Sequence, residues 1–277
     1  MNPEKSTVPQ GPLKRPLTVL LVSGMYRDIR CWENFLKERD PIERELTQSP
    51  NREFRFVPVI LKGHEPGNGR QRLWLPTLGD YVEDVKKELR KLRQQEEPFV
   101  LVGHSMGALV AAAAAQEFRP AGLVLLAPLS TRSFREVNCR LLCHHPRDLI
   151  ASFVQFNPKR VIRDWRICQE LFFSEQMPEE TVEEHRANLQ AESLVATLQM
   201  LTGLSVRCRG YRPLNGTPVL ILGAADDQCV CPYCVKWVAN KLGVSAKFLP
   251  NLAHDMMLDP EWKVVLQKLY EWLDGLP

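Results

Sequence analysis

A serine between two glycines in Gly103-His104-Ser105-Met106-Gly107, the adjacent Asp226 and Asp227, and His254 are the residues that could do chemistry together. A serine hydroxyl is a poor nucleophile until a neighbouring imidazole takes its proton. The imidazole in turn needs a carboxylate to fix its tautomer and stabilise its charged form. The tetrahedral oxyanion formed by such an attack needs two preorganised backbone N–H groups. Met106, directly after the nucleophile, is one candidate donor; Met25, in Ser23-Gly24-Met25-Tyr26, is the other. Nucleophilic attack by Ser105 on a carboxylic ester, with His254 as base and an aspartate as orienting acid, is the reaction these residue types suit.

The elements needed to position them are present. Phe99-Val100-Leu101-Val102 reads as a buried strand, and the alanine-rich run from Ala111 to Ala115 reads as a buried helix. The serine turn lies between them, the strand–turn–helix setting of a nucleophile elbow. Gly103 and Gly107 lack the Cβ atoms that would clash as strand and helix approach. Leu17–Val22 ends at Ser23-Gly24, Phe54–Leu61 is a second strand, and Gly122–Ala127 is a further apolar strand ending at Pro128. Apolar positions Leu78, Tyr81, Val82, Val85, Leu89 and Leu92 recur at helical spacing. Such β/α alternation with apolar runs buried on both sides predicts a mainly parallel sheet flanked by helices. Ser23-Gly24, Ser105 and Pro128 would then share the rim at the carboxyl ends of the strands, where ligands bind in such sheets.

The rhythm stops after Pro128. From about Ser133 to Leu204 the pattern is helical, over 149–156, 165–173, 181–189 and 194–201. The strands resume at Pro218–Gly223 and Lys247–Leu249, and a helix over 260–273 closes the chain. The organisation expected is a tail over 1–16, core over 17–130, an all-helical cap over 131–212 inserted before the acid-bearing strand, and core again over 213–277. Asp226 and Asp227 follow the strand at 219–223, and His254 follows the strand at 247–249. The apolar pair Cys229-Val230 would return the chain to the core and favours Asp227 as the acid, with Asp226 as the alternative. The cap aromatics Phe153, Phe156, Phe172 and Phe173 are read first as cap core.

Together Gly103–Gly107, Leu222-Gly223-Ala224-Ala225-Asp226-Asp227 and Ala253-His254-Asp255-Met256-Met257 resemble the α/β-hydrolase superfamily. The resemblance extends over about 17–273 and is nearest to capped serine hydrolases of the lysophospholipase-like or monoacylglycerol-lipase-like kind. It implies an α/β-hydrolase fold, the chain order Ser, Asp, His, and the second aspartate as acid. The largely apolar helical stretch of the cap favours a lipophilic acyl or alcohol group, and the chemistry needs no cofactor or metal. Acyl transfer, lactone opening and thioester cleavage use the same triad, and a non-catalytic ligand-binding relative is the reading from another class. The family commonly has His-Gly where this chain has Ser23-Gly24.

The rest of the composition sets bounds. The chain has 277 residues, 44 % hydrophobic and 25 % charged, with a net charge of +3. These are ordinary globular values, without the basic concentration a nucleic-acid surface needs. No apolar run reaches the roughly 18 residues of a membrane span. Eight cysteines without a secretory pattern suggest reduced thiols and a cytoplasmic compartment. Cys231-Pro232-Tyr233-Cys234 matches the dithiol motif of glutaredoxins but lies outside a compact redox frame, and is read as coincidence. Cys143-His144-His145 has no second pair at zinc-site spacing.

Overall fold

The computed structural model describes residues 16–37, 53–66, 75–154, 158–204 and 210–277. Residues 1–15 of the expected tail over 1–16, Phe156 and the side chain of Phe153 lie outside them. Among the described residues six strands form one parallel sheet: β1 (Leu17–Val22), β2 (Phe54–Val59), β3 (Phe99–His104), β4 (Gly122–Leu126), β5 (Val219–Ala224) and β6 (Ala246–Leu249). Their order across the sheet is β2-β1-β3-β4-β5-β6. Every residue of β1, β3 and β4 is buried, whereas the edge strands β2 and β6 alternate with exposed positions. Continuous Val/Leu runs, each side chain contributing about 1.5–3 kcal/mol when buried, are therefore confined to the centre of the sheet.

The core helices are α1 (Leu78–Gln94), α2 (Met106–Phe118), α8 (Pro232–Leu242) and α9 (Trp262–Asp274). α1 starts at a capping box in which Thr77 and Asp80 satisfy each other's backbone N–H groups. It buries Leu78, Tyr81, Val82, Val85, Leu89 and Leu92, the stripe expected from the spacing. α2 is apolar all round and buried through Met106–Ala115, because small alanines let it lie deep against the sheet.

Between β4 and β5 the described residues carry helices and no strand: α3 (Thr131–His144), α4 (Pro146–Val154), α5 (Trp165–Phe172), α6 (Glu179–Ala187) and α7 (Leu194–Thr202). α3 is not among the four helical stretches named from the sequence. Its start is set by a second capping box, Ser130 with Ser133, whose serine partner is a weaker signal than Glu or Gln.

The path from β1 turns one way to the edge strand β2, then returns past β1 to β3 and continues the other way. The sheet therefore has its switch point between β1 and β3, and a crevice opens there beyond the carboxyl ends of the strands. Val22 pairs with Gly103, so Ser23-Gly24 and His104-Ser105 leave the sheet side by side at that crevice.

Candidate active site

Ser105 sits between β3 and α2 at φ 53° and ψ −119°, a left-handed conformation that costs a residue with a Cβ. The neighbourhood fixes it. The Ser105 N–H donates to the Leu126 carbonyl and the Ser105 carbonyl accepts from the Leu129 N–H, at 2.9 and 3.1 Å. Two glycines permit the approach. A Cβ on Gly103 would lie 2.4 Å from the Gly107 carbonyl oxygen, and one on Gly107 would lie 2.3 Å from that of Val22. Gly107 thus makes room for the end of β1 rather than for the strand that precedes the elbow.

His254, on the loop after β6, reaches both partners. Its Nε2 is 2.9 Å from Ser105 Oγ and its Nδ1 is 2.9 Å from Asp227 Oδ2. A carboxylate only accepts, so Nδ1 carries the proton and Nε2 is left to accept from the serine hydroxyl. The other oxygen of Asp227, Oδ1, accepts from the backbone N–H groups of Cys229 and Val230, both at 2.7 Å. Asp227 is buried and Asp226 is exposed, its N–H donating to the Leu252 carbonyl. The carboxylate brought to His254 is therefore that of Asp227. Burial works against the imidazolium, but the adjacent Asp227 carboxylate, with Cys229 beside the ring, holds His254 well above its ordinary value.

The loop after β1 closes the other side of the crevice. A Cβ on Gly24 would lie 2.9 Å from Ser105 Cβ, so Met25 follows at the edge of the nucleophile. Met106 is the first residue of α2, where an N–H has no acceptor within its helix. Ser23 anchors the loop: its hydroxyl accepts from the Trp32 indole at 3.1 Å and donates to the Asp28 carbonyl at 3.3 Å. The departure from His-Gly is thus accommodated by a tryptophan nine residues on.

Sequence reasoning missed the charged groups that hold this loop. Tyr26 has φ 63°, and residues ahead of α7 grip it from both sides. Its N–H donates to Glu192 Oε2 at 3.3 Å, and its carbonyl accepts from the Gln190 N–H at 2.7 Å. Glu192 is fully buried and accepts from Tyr81 Oη at 2.7 Å; its other oxygen is 3.4 Å from His64 Nε2. Arg27, also buried, pairs with Asp255, next to His254, and its guanidinium lies 5.4 and 5.5 Å from the Phe172 and Phe173 ring centres. Each is a charged residue inside an apolar setting, a property invisible until the chain is folded.

Two further groups fix His254. Burial pushes His104 down to about 3, so it is neutral, and its Nε2–H donates to the His254 carbonyl at 2.9 Å. Asp259 accepts from the Ala253 N–H and, through its other oxygen, from both the N–H and the hydroxyl of Ser174. The segment after α5 is thereby tied to the histidine loop, and the Phe172 ring centre lies 6.0 Å from that of His254.

A cavity of about 70 Å³ adjoins the site, lined by Tyr26, Phe134, Val137, Leu171, Phe172 and Cys229 among others. A larger hollow of about 340 Å³, between α7, α8 and the Gly210–Arg212 stretch, touches none of Ser105, Asp227 or His254. Cys143-His144-His145 lies at the end of α3, where the His145 ring bonds to Glu170 at 3.0 Å, away from this site.

No curated protein sequence matches the chain. Among solved structures it is similar to an esterase from Thermogutta terrifontis, at 20 % identity and TM-score 0.61 over 96 % of this chain and 91 % of that one. It is similar to a monoglyceride lipase from Saccharomyces cerevisiae, at 16 % identity and TM-score 0.65 over 96 % and 89 %. A putative non-heme bromoperoxidase from Mycobacterium tuberculosis aligns at 20 % identity and TM-score 0.67 over 96 % and 94 %. These likenesses carry the fold. Residues 19–264 match the model of the alpha/beta hydrolase family, and the chain belongs to that family.

Proposed function

We propose that the protein is a serine hydrolase that cleaves a carboxylic ester through an acyl-enzyme. The observation that carries this reading is the continuous hydrogen-bonded line from Ser105 Oγ through His254 to Asp227, at the switch point of the sheet. Ser105 Oγ attacks the carbonyl carbon as His254 Nε2 takes its proton. Asp227 stays ionised and stabilises the imidazolium. The N–H groups of Met25 and Met106 hold the oxyanion, each such donor being worth about 3 kcal/mol in the transition state. The imidazolium then protonates the leaving alcohol. Water, deprotonated by the same imidazole, attacks the acyl-enzyme and releases the acid.

The helices between β4 and β5 act as a cap, and their apolar lining of the adjoining cavity favours a lipophilic acyl or alcohol group. The structural likeness to an esterase and a monoglyceride lipase supports esters as the substrate class.

Hydrolysis of p-nitrophenyl esters across a series of acyl lengths, in wild type and Ser105→Ala, tests the reading. The variant should lose on the order of 10⁴–10⁶-fold in rate. A fluorophosphonate probe should label wild type at Ser105. An inert wild type that also fails to label would replace this reading with a ligand-binding one, and a preference for short charged esters would remove the lipophilic assignment.

A further inference from the structure

The Cys231-Pro232-Tyr233-Cys234 motif has a third member that its sequence does not contain. Cys231 caps the start of α8, Pro232 is its first residue, and Cys234 lies in its first turn. This geometry turns both sulfurs to the same side. Facing them is Glu136, from the middle of α3. Its Oε2 is 2.9 Å from Cys234 Sγ, and its Oε1 is 3.8 Å from Cys231 Sγ. The two sulfurs and a carboxylate oxygen all lie within 4.8 Å of one another, with Cys234 buried, Cys231 half-buried and Glu136 exposed. The cluster is therefore reachable from solvent through its carboxylate while one thiol is already out of water. Among the described residues, the other three-residue cluster of this kind, His104, His254 and Asp255, belongs to the candidate active site.

We infer that Cys231, Cys234 and Glu136 form a binding site for a thiophilic divalent cation of the zinc class, bridging α3 to the start of α8. Two thiolates and one carboxylate match a three-ligand zinc set, with water in the fourth position. Tetrahedral zinc bonds of about 2.3 Å to sulfur and 2.1 Å to oxygen put a sulfur and an oxygen ligand about 3.6 Å apart. The Cys231–Glu136 spacing, 3.8 Å to Oε1, is close to that value. The Cys234–Glu136 spacing is shorter because a thiol proton lies between the two groups, donated to the carboxylate. A cation displaces that proton, so affinity rises with pH. The positive end of α8 favours the resulting thiolates.

The surroundings are built to keep this geometry. Along one stripe of α3, Arg132 lies over the Tyr233 ring at 4.7 Å, Glu136 meets the thiols, and Arg140 donates to Gln228 Oε1 at 3.1 Å. Three successive turns of α3 thus face the segment 228–234. The same segment begins with Cys229 and Val230, whose N–H groups hold Asp227. The opposite flank of α3 contributes Phe134 and Val137 to the cavity beside the site. A bound cation would staple α3 to the loop that carries the acid.

The test uses the full chain, reduced and stripped of metal with a chelator, with thiol content checked by titration. Cobalt(II) is added as the spectroscopic probe. One equivalent should give thiolate-to-cobalt charge transfer in the near ultraviolet and intense visible bands of tetrahedral cobalt, both abolished by zinc. Cys231→Ser and Cys234→Ser should each weaken these bands strongly, and the double variant should lack them. Glu136→Gln, at an exposed position, should remain folded and weaken binding by at least the roughly 10–100-fold typical of lost support around a metal. Cys143→Ser, beside the two histidines, should leave the bands unchanged. Zinc should raise the melting temperature of wild type and not that of the double cysteine variant. Absence of the bands with all thiols reduced, or their survival in the double variant, would overturn the assignment.

Discussion

Two aspartates stand side by side at 226 and 227, and the structure gives them unequal surroundings. Asp227 is buried, takes two backbone N–H groups on one oxygen and His254 on the other. Asp226 faces solvent. Asp227→Asn should therefore lower kcat by on the order of 10⁴-fold, because an amide at this place favours the wrong imidazole tautomer. Asp226→Asn should stay within a few-fold of wild type. The pH profile carries the same distinction. The reaction needs neutral His254, so kcat/KM should rise with pH through a midpoint above the ordinary histidine value of 6.5. In Asp227→Asn the carboxylate that favours the imidazolium is gone while burial still opposes it, and the midpoint should move down. A midpoint that does not move would remove Asp227 from the proposed role.

At the scale of elements, the site depends on a loop held in strain by a distant segment. Tyr26, at positive φ in the loop after β1, is gripped by Gln190 and Glu192 just before α7. Such strain, of order 1–3 kcal/mol, persists only where the surroundings over-determine it. Glu192 is also one half of a buried pair with His64. Burial raises the carboxyl, but His64 more than offsets this and holds Glu192 below 4.5; burial lowers His64, and Glu192 more than offsets that to hold it above 6.5. Glu192→Gln keeps the shape and removes the charge. It should destabilise the protein by about 3–5 kcal/mol near neutral pH, the usual cost of leaving one member of a buried pair alone. The sign follows from linkage. The Glu192 contribution is lost as pH falls through a value below 4.5, and the His64 contribution is lost as pH rises through a value above 6.5. Urea melts of wild type and variant should accordingly differ most between these limits and converge on either side.

At the scale of the whole molecule, the helices between β4 and β5 reach the site through Phe172, beside the His254 ring, and Ser174, bonded to Asp259. Among the described residues no helix is long and apolar enough to cross a membrane. The cavity adjoining the site, about 70 Å³, is well below the roughly 300–1,000 Å³ of sites for drug-sized ligands. On the proposed reading, the acyl chain of a lipophilic ester would extend into this cavity. Val137→Phe, which fills the cavity from the α3 side, should raise KM for long-chain esters at least several-fold and leave acetyl esters nearly unchanged. Overpacking should cost about 1–3 kcal/mol of stability, measurable in the same melts. Equal loss for short and long chains would mean that the acyl group lies elsewhere.

Much of this protein was legible in its sequence because the relevant signals are local. The strand Leu17–Val22 and the stripe of α1 are set by apolar periodicity, and the elbow by two glycines at fixed spacing around Ser105. Even the order of Ser105, Asp227 and His254 is a property of the chain. What depended on the fold is whatever requires residues remote in sequence to share one small volume. Glu192 holds Tyr26 across 166 positions, and Asp255 pairs with Arg27 across 228. Glu136 meets Cys234 across 98, which turns a dithiol read as coincidence into a candidate metal site. A charged side chain signals solvent in a linear sequence; only close packing shows that its field is spent on a buried partner.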